Sequence, residues 1–130
     1  PDSPWSQDRM STISKSLEEI MTLDGAIAAA LVDWESGMTL GTIGGGAGFN
    51  IELAASGNTS VVKAKMRVMR ELGIPGSIED MLITLDTQYH LIRPLVRHPS
   101  LFLYVAIDKT RGNLGLARHR VRSIEEGLKL

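Results

Sequence analysis

The chain has 130 residues, of which 43% are hydrophobic and 22% charged, with a formal net charge of -1 and no cysteine. That is enough apolar sequence for one packed domain over residues 1–130, with its core expected over about 8–129, and too much for a disordered segment. Without cysteine, disulfides, thiolate zinc sites and thiol catalysis are excluded.

The near-zero net charge hides an asymmetry. Residues 1–60 hold eight acidic side chains against Arg9 and Lys15, and the remainder is correspondingly basic. Glu71, Glu79, Asp80, Asp86, Asp108, Glu125 and Glu126 interrupt that basic half, so no single-sign stripe forms to follow a phosphate backbone and nucleic acid is not an expected partner. No apolar run reaches membrane-spanning length, and Pro1-Asp2-Ser3-Pro4-Trp5 lacks the regions of a signal peptide. A cytoplasmic protein with no membrane insertion is the expectation.

Met10, Ile13, Leu17 and Ile20 recur at helical spacing, predicting an amphipathic helix that ends near Leu23. Ala26 to Val32 is continuously apolar between Asp24-Gly25 and Asp33-Trp34-Glu35-Ser36-Gly37; the flanking glycines favour a strand, covered on both faces. Glu35-Ser36-Gly37 supplies a turn, and Met38 to Ile43 reads as the returning strand of a hairpin. Trp34 beside that turn is either an exposed docking aromatic or a partly buried cover for the sheet end.

Gly44 to Gly48 reads as a flexible link. It has no following Lys-Ser or Lys-Thr for a phosphate loop and no register that gives a dinucleotide fingerprint. Asn50 is placed to cap a long helix running to about Leu72, with a face of Ile51, Ala55, Asn58, Val62, Lys65, Met69 and Leu72. Ala54, Ala55, Ser56 and Gly57 form a band without bulk. A helix-interior glycine costs about 1 kcal/mol relative to Ala, so a closely packed neighbour is suspected there.

Gly73, Pro75 and Gly76 end the helix. Met81 to Leu85, Tyr89 to Ile92 and Leu101 to Ile107 then read as three strands joined by turns short enough to make neighbours antiparallel. Pro94 cannot donate to a ladder and belongs at a strand end, an edge or a bulge. Leu114, Ala117, Val121, Ile124 and Leu128 trace a closing amphipathic helix, with Arg118, Arg122, Glu125 and Glu126 off its apolar stripe. The order is α-β-β-α-β-β-β-α, an α+β chain folding as a three-layer α/β/α sandwich.

No catalytic constellation emerges. Ser60-Val61-Val62-Lys63 matches a short acylase pattern without its companion motifs, and His90, His98 and His119 lack ligand spacing. No catalytic residue, metal or cofactor is expected, and the chain is read as non-enzymatic.

Four strings, Asp24-Gly25-Ala26, Asp33-Trp34-Glu35-Ser36-Gly37, Glu52-Leu53-Ala54-Ala55 and Asn113-Leu114-Gly115-Leu116-Ala117-Arg118, occur in order between these elements. Together they resemble the Roadblock family of dynein light chains and bacterial GTPase regulators, over about Leu17 to Leu128. The resemblance implies a profilin-like, five-stranded antiparallel sheet with one helix on one face and two on the other. It implies a homodimer formed through the long helix and the strand after it, here Ile51, Ala54, Ala55, Asn58, Val62, Met81, Leu82 and Ile83. It also implies a small Ras-like GTPase as partner, or an adaptor light-chain role. Within that layout the strand carrying Pro94 is internal, so Pro94 should end it early. The docking face for the GTPase is left open. An arginine supplied in trans from Arg111, Arg118 or Arg122 is conceivable, although solvated cations explain them more simply. The alternative is a small-molecule-sensing regulatory domain whose Gly44 to Gly48 loop closes over a pocket.

Overall fold

The structure is a computed structural model that describes residues 7–130. The opening Pro1 to Trp5, read above for signal-peptide features, and the first residues assigned to the domain lie outside the described residues. The elements run α1 (Gln7–Ile20), β1 (Ala26–Asp33), β2 (Thr39–Gly44), α2 (Ile51–Leu72), β3 (Met81–Thr84), β4 (Gln88–Pro94), β5 (Leu101–Asp108) and α3 (Leu114–Gly127). The five strands form one antiparallel sheet in the order β2-β1-β5-β4-β3. The α+β class, the element order and the five-stranded sheet are therefore those expected.

The sheet has a core on each side. Ala29, Leu31, Leu91, Leu103 and Val105 face α1 and α3, packing with Ile13, Leu17 and Ile20 of α1 and Ala117, Val121 and Ile124 of α3. Ala28, Ala30, Val32, Ile92, Phe102 and Tyr104 face α2 and pack with its Ile51, Ala55 and Val62. Alternate residues of β1 and β5 thus enter opposite cores, which is why their apolar runs have no polar gaps. The alanines of β1 have a place in this packing: Ala28 and Ala30 are buried in the same core as the small Ala55 of α2. On the other face, a Cβ at Gly41 of β2 would lie 2.8 Å from Ile13 and 3.0 Å from Leu17, so α1 rests directly on the β2 backbone.

Several local expectations shift. Met10 is exposed, and α1 ends at Ile20, before Leu23. β4 keeps seven residues, with Pro94 opposite Phe102 at its last position, so the proline ends the strand without shortening it. The glycine run is a shaped turn: Gly44, Gly45 and Gly46 all have positive φ, Gly45 N donates to Ile27 O at 3.0 Å, and Phe49 N donates to Gly46 O at 3.2 Å. Side chains there would be strained, and at Gly45 a Cβ would lie 2.5 Å from Phe49 O.

Glu125 is the largest departure. It lies buried, with its Oε1 accepting from Nε of the equally buried Arg93 on β4 and its Oε2 accepting from Val96 N at 2.9 Å. This pair ties α3 to the end of β4. An exposed second tie, Arg118 to Asp80, is bidentate at 3.0 and 2.9 Å and joins α3 to the segment before β3.

Candidate protein-interaction surface

α2 begins where Asn50 Oδ1 accepts from Leu53 N at 3.0 Å and ends where Gly73, at φ 66°, returns its N–H to the last turn. Between these caps, Ile51, Ala55, Asn58, Thr59 and Val62 are buried against the helix's own sheet. The polar members are satisfied within the helix: Asn58 Nδ2 donates to Ala54 O at 2.8 Å and Thr59 Oγ1 to Ala55 O at 3.2 Å. Beyond Val62 the partly buried Met66 still packs on that core, while Lys65 is exposed and Met69 only half-buried.

A second apolar stripe, Leu53, Gly57, Val61, Ala64, Val68 and Leu72, occupies an arc of about 100° on the outer side, reckoned at 3.6 residues per turn. Leu53 is 70%, Val61 39% and Leu72 66% exposed, which is unusual for aliphatic side chains aligned along one helix. Gly57 lies in the middle of this stripe, and a Cβ there would meet nothing within 4 Å. The protomer therefore gives no packing reason for a glycine at that position.

β3 is an edge strand that pairs with β4 alone, so one row of its backbone N–H and C=O groups is unmatched within the sheet. Met81 and Ile83 pack half-buried on the α2 side, while Leu82, opposite Leu91, is exposed on the face that carries α3. Leu85, just after the strand, is also exposed, as is Ile74 in the link after α2.

These positions redistribute the residues expected at a dimer contact. Ile51, Ala55, Asn58 and Val62 are occupied inside the protomer, because they form the face that covers β1 and β5. Ala54, Met81 and Ile83 are partly accessible and Leu82 is 38% exposed. Leu53, Val61 and Val68 were not assigned to that contact from sequence, and Leu72 was read with the face of Ile51 and Val62 but is exposed. Their signal was present in an apolar arc on α2 too wide for a helix that covers only its own sheet.

A polar chain lies under α2 beside β3. His90 Nε2 donates to Gln88 Oε1 at 2.7 Å, and its Nδ1 accepts from the Tyr104 hydroxyl at 3.2 Å. Phe49 and Tyr104 each present an edge-on ring to His90, at centroid distances of 6.0 and 5.5 Å. Burial lowers the His90 pKa, and burial pushes Tyr104 up to about 12 against the opposing effect of its hydrogen bond with Asn58. The network is a positioned, neutral support, with His90 directly opposite Ile83 of the edge strand.

The remaining candidates are dispersed. His98 lies in the turn after β4 and His119 on the exposed side of α3, while Ser60 and Lys63 are both exposed on α2. Arg118 is held by Asp80, and Arg122 lies 3.8 Å from Glu126 on the same helix. Trp34 is half-buried, and its Nε1 donates to Pro99 O at 2.7 Å, so it braces the hairpin against the turn before β5. No described helix is long and apolar enough to cross a membrane.

No protein-family model matches the sequence, and no curated protein sequence does. The fold, in contrast, has solved counterparts. MglB of Myxococcus xanthus superposes with a TM-score of 0.82 at 17% identity, covering 95% of this chain and 89% of that one. MglB in a tetrameric arrangement gives 0.78 at 18% identity, covering 95% and 89%. A Roadblock/LC7 domain from Streptomyces avermitilis gives 0.72 at 11% identity, covering 98% and 95%. At such identities the likeness speaks for architecture, and it agrees with the layers, strand order and element order described above: this chain has the Roadblock/LC7 fold, in the form also adopted by MglB.

Proposed function

We propose that the chain is a non-enzymatic regulatory module that pairs with a second copy of itself through the outer stripe of α2 and the free edge of β3, and that the pair docks a small Ras-like GTPase. The observation that carries the pairing is the stripe from Leu53 to Leu72, apolar along the outer side of α2 and interrupted by a glycine that the protomer does not require. A partner helix laid along it would remove several aliphatic side chains from water, and each fully buried one contributes about 1.5–3 kcal/mol. The adjoining edge of β3 offers backbone hydrogen bonds to a matching strand. A tetrameric arrangement of MglB supports the idea that this fold lends itself to self-assembly. The GTPase partner and the non-enzymatic character rest on the Roadblock resemblance.

Sedimentation at micromolar concentration tests the pairing. Wild type should sediment as a dimer, Val61→Glu and Leu53→Glu as monomers, and Leu116→Glu, which alters an exposed leucine on α3, as wild type. A monomeric wild type removes the pairing. Affinity capture from cell extract with and without a GTP analogue tests the partner: nucleotide-dependent recovery of a small GTPase is expected. Because charging Ala55 would disrupt the protomer's own core, that position is unsuitable as an interface probe.

A further inference from the structure

At the end of the sheet opposite the glycine turn, the β1–β2 turn, the β4–β5 turn and the start of α1 enclose a cavity of about 440 Å³, within the range of small-ligand sites. Its two kinds of surface are segregated by chemistry. Ile13, Leu40, Leu101 and Leu130 supply apolar lining, whereas Arg9, Arg97 and His98 bring donors to it. One carboxylate, Asp33, also lines the cavity, but its Oδ1 already accepts from Glu35 N at 2.9 Å and Ser36 N at 3.2 Å in the hairpin turn. Arg97 therefore faces a carboxylate that is already engaged in the turn. The Arg97 side chain makes no ion pair or hydrogen bond among the described residues.

We propose that this cavity binds a small amphiphilic oxyanion, with its apolar stem against Ile13, Leu40 and Leu101 and its carboxylate or phosphate head on Arg97. A guanidinium presents a planar pair of N–H donors that matches either head group in a two-point hydrogen bond. The apolar lining disfavours a bare inorganic anion, which would gain no burial, and the cationic groups disfavour an amine on the same stem. Trp34 fixes the mouth through its bond to Pro99 O, which joins the two turns on either side of the opening. The glycine run, expected to close over a pocket, does not line this cavity. The site is also separate from the outer stripe of α2, so it stands whether or not the chain dimerises, and sedimentation of the same samples reports that question independently.

The test is an amide-resolved NMR titration of the full chain with octanoate and octyl phosphate, against octanol and octylamine as stem-matched controls. Saturable shifts are expected at Ser36, Met38, Ser100 and Leu101 with either oxyanion, the tighter of the two identifying the preferred head group. Octanol and octylamine should leave those amides unmoved at equal concentration. Arg97→Glu should weaken oxyanion binding at least tenfold with a dispersed spectrum retained. Met38→Trp, at an exposed position on the lining, should obstruct the cavity and abolish the shifts. The proposal is overturned by the absence of saturable shifts with both oxyanions, by equal shifts with octylamine, or by wild-type binding in either variant.

Discussion

Glu125 stands on α3 with its carboxylate turned inward, where Arg93 and the Val96 amide consume both oxygens. Burial makes this an asymmetric arrangement: the intact pair adds little net stability over an apolar replacement, yet either charge left alone in the core is costly. Glu125→Ala should therefore destabilise the protein by about 3 kcal/mol, while Arg93→Met combined with Glu125→Leu should cost less than either single change. Urea unfolding of Glu125→Ala, the double variant and its two single components checks both statements. His90 gives a second prediction, in pH. Burial holds its folded-state pKa below the ordinary 6.5, so the unfolded chain takes up the proton more readily. The stability associated with neutral His90 is fully present above pH 6.5 and is lost as pH falls from there through the folded-state value. Gln88, Tyr104, Asn58 and Phe49 surround the ring without a countercharge to offset this. Unfolding free energy measured from pH 7 to pH 5 should decline, and His90→Gln should decline less steeply.

At the scale of the element, α2 poses the sharpest question, because its inner face is complete without Gly57. Adding a methyl at Gly57 meets no atom of the protomer. Gly57→Ala should then stabilise the isolated protomer by about 1 kcal/mol through helix propensity, yet weaken self-association by holding a partner helix away. Unfolding in dilute solution and sedimentation in concentrated solution separate these opposite effects. The caps of α2 were legible in the sequence because capping is local chemistry: Asn50 and Gly73 act within a few residues of themselves. Removing the first by Asn50→Ala should cost about 1 kcal/mol. The hairpin turn at Gly37 and the two-sided burial of β1 were similarly legible from local punctuation and runs, whereas β4 runs longer than the Tyr89 to Ile92 expected. Which side of α2 faces the sheet was not, since an arc of apolar residues that wide has two faces and periodicity does not rank them. Glu125 was missed for a related reason. Its partner lies 32 positions away, and a glutamate beside a helix's apolar stripe looks solvated until the strand opposite it is known to carry an arginine. The cavity at the hairpin end was equally hidden, being assembled from α1, two turns and Leu130, segments far apart in the chain.

For the whole molecule, the sheet divides its edges unequally. α1 lies over β2, with Ile13 and Leu17 against Gly41, whereas β3 at the far edge is short, carries the exposed Leu82 and is followed by the exposed Leu85. An apolar helix face and an unpaired strand edge in one small domain form a surface prone to indiscriminate association unless one partner occupies it. If a second copy does so, folding and assembly become one equilibrium, and stability depends on protein concentration. For a folded dimer that unfolds to two separate chains, each tenfold rise in concentration stabilises the native state by about 1.4 kcal/mol. Spread over the two chains together, that raises the melting temperature by about 3 °C per tenfold, given the few-degree shift per kcal/mol typical of this size. Calorimetric scans over two decades of concentration should show this climb in wild type and none in Val61→Glu. Hydrogen exchange adds the location: amides on the outer edge of β3 should slow with rising concentration in wild type alone, because only a docked strand supplies them with acceptors. A concentration-independent melting temperature with a freely exchanging β3 edge would sink the paired arrangement.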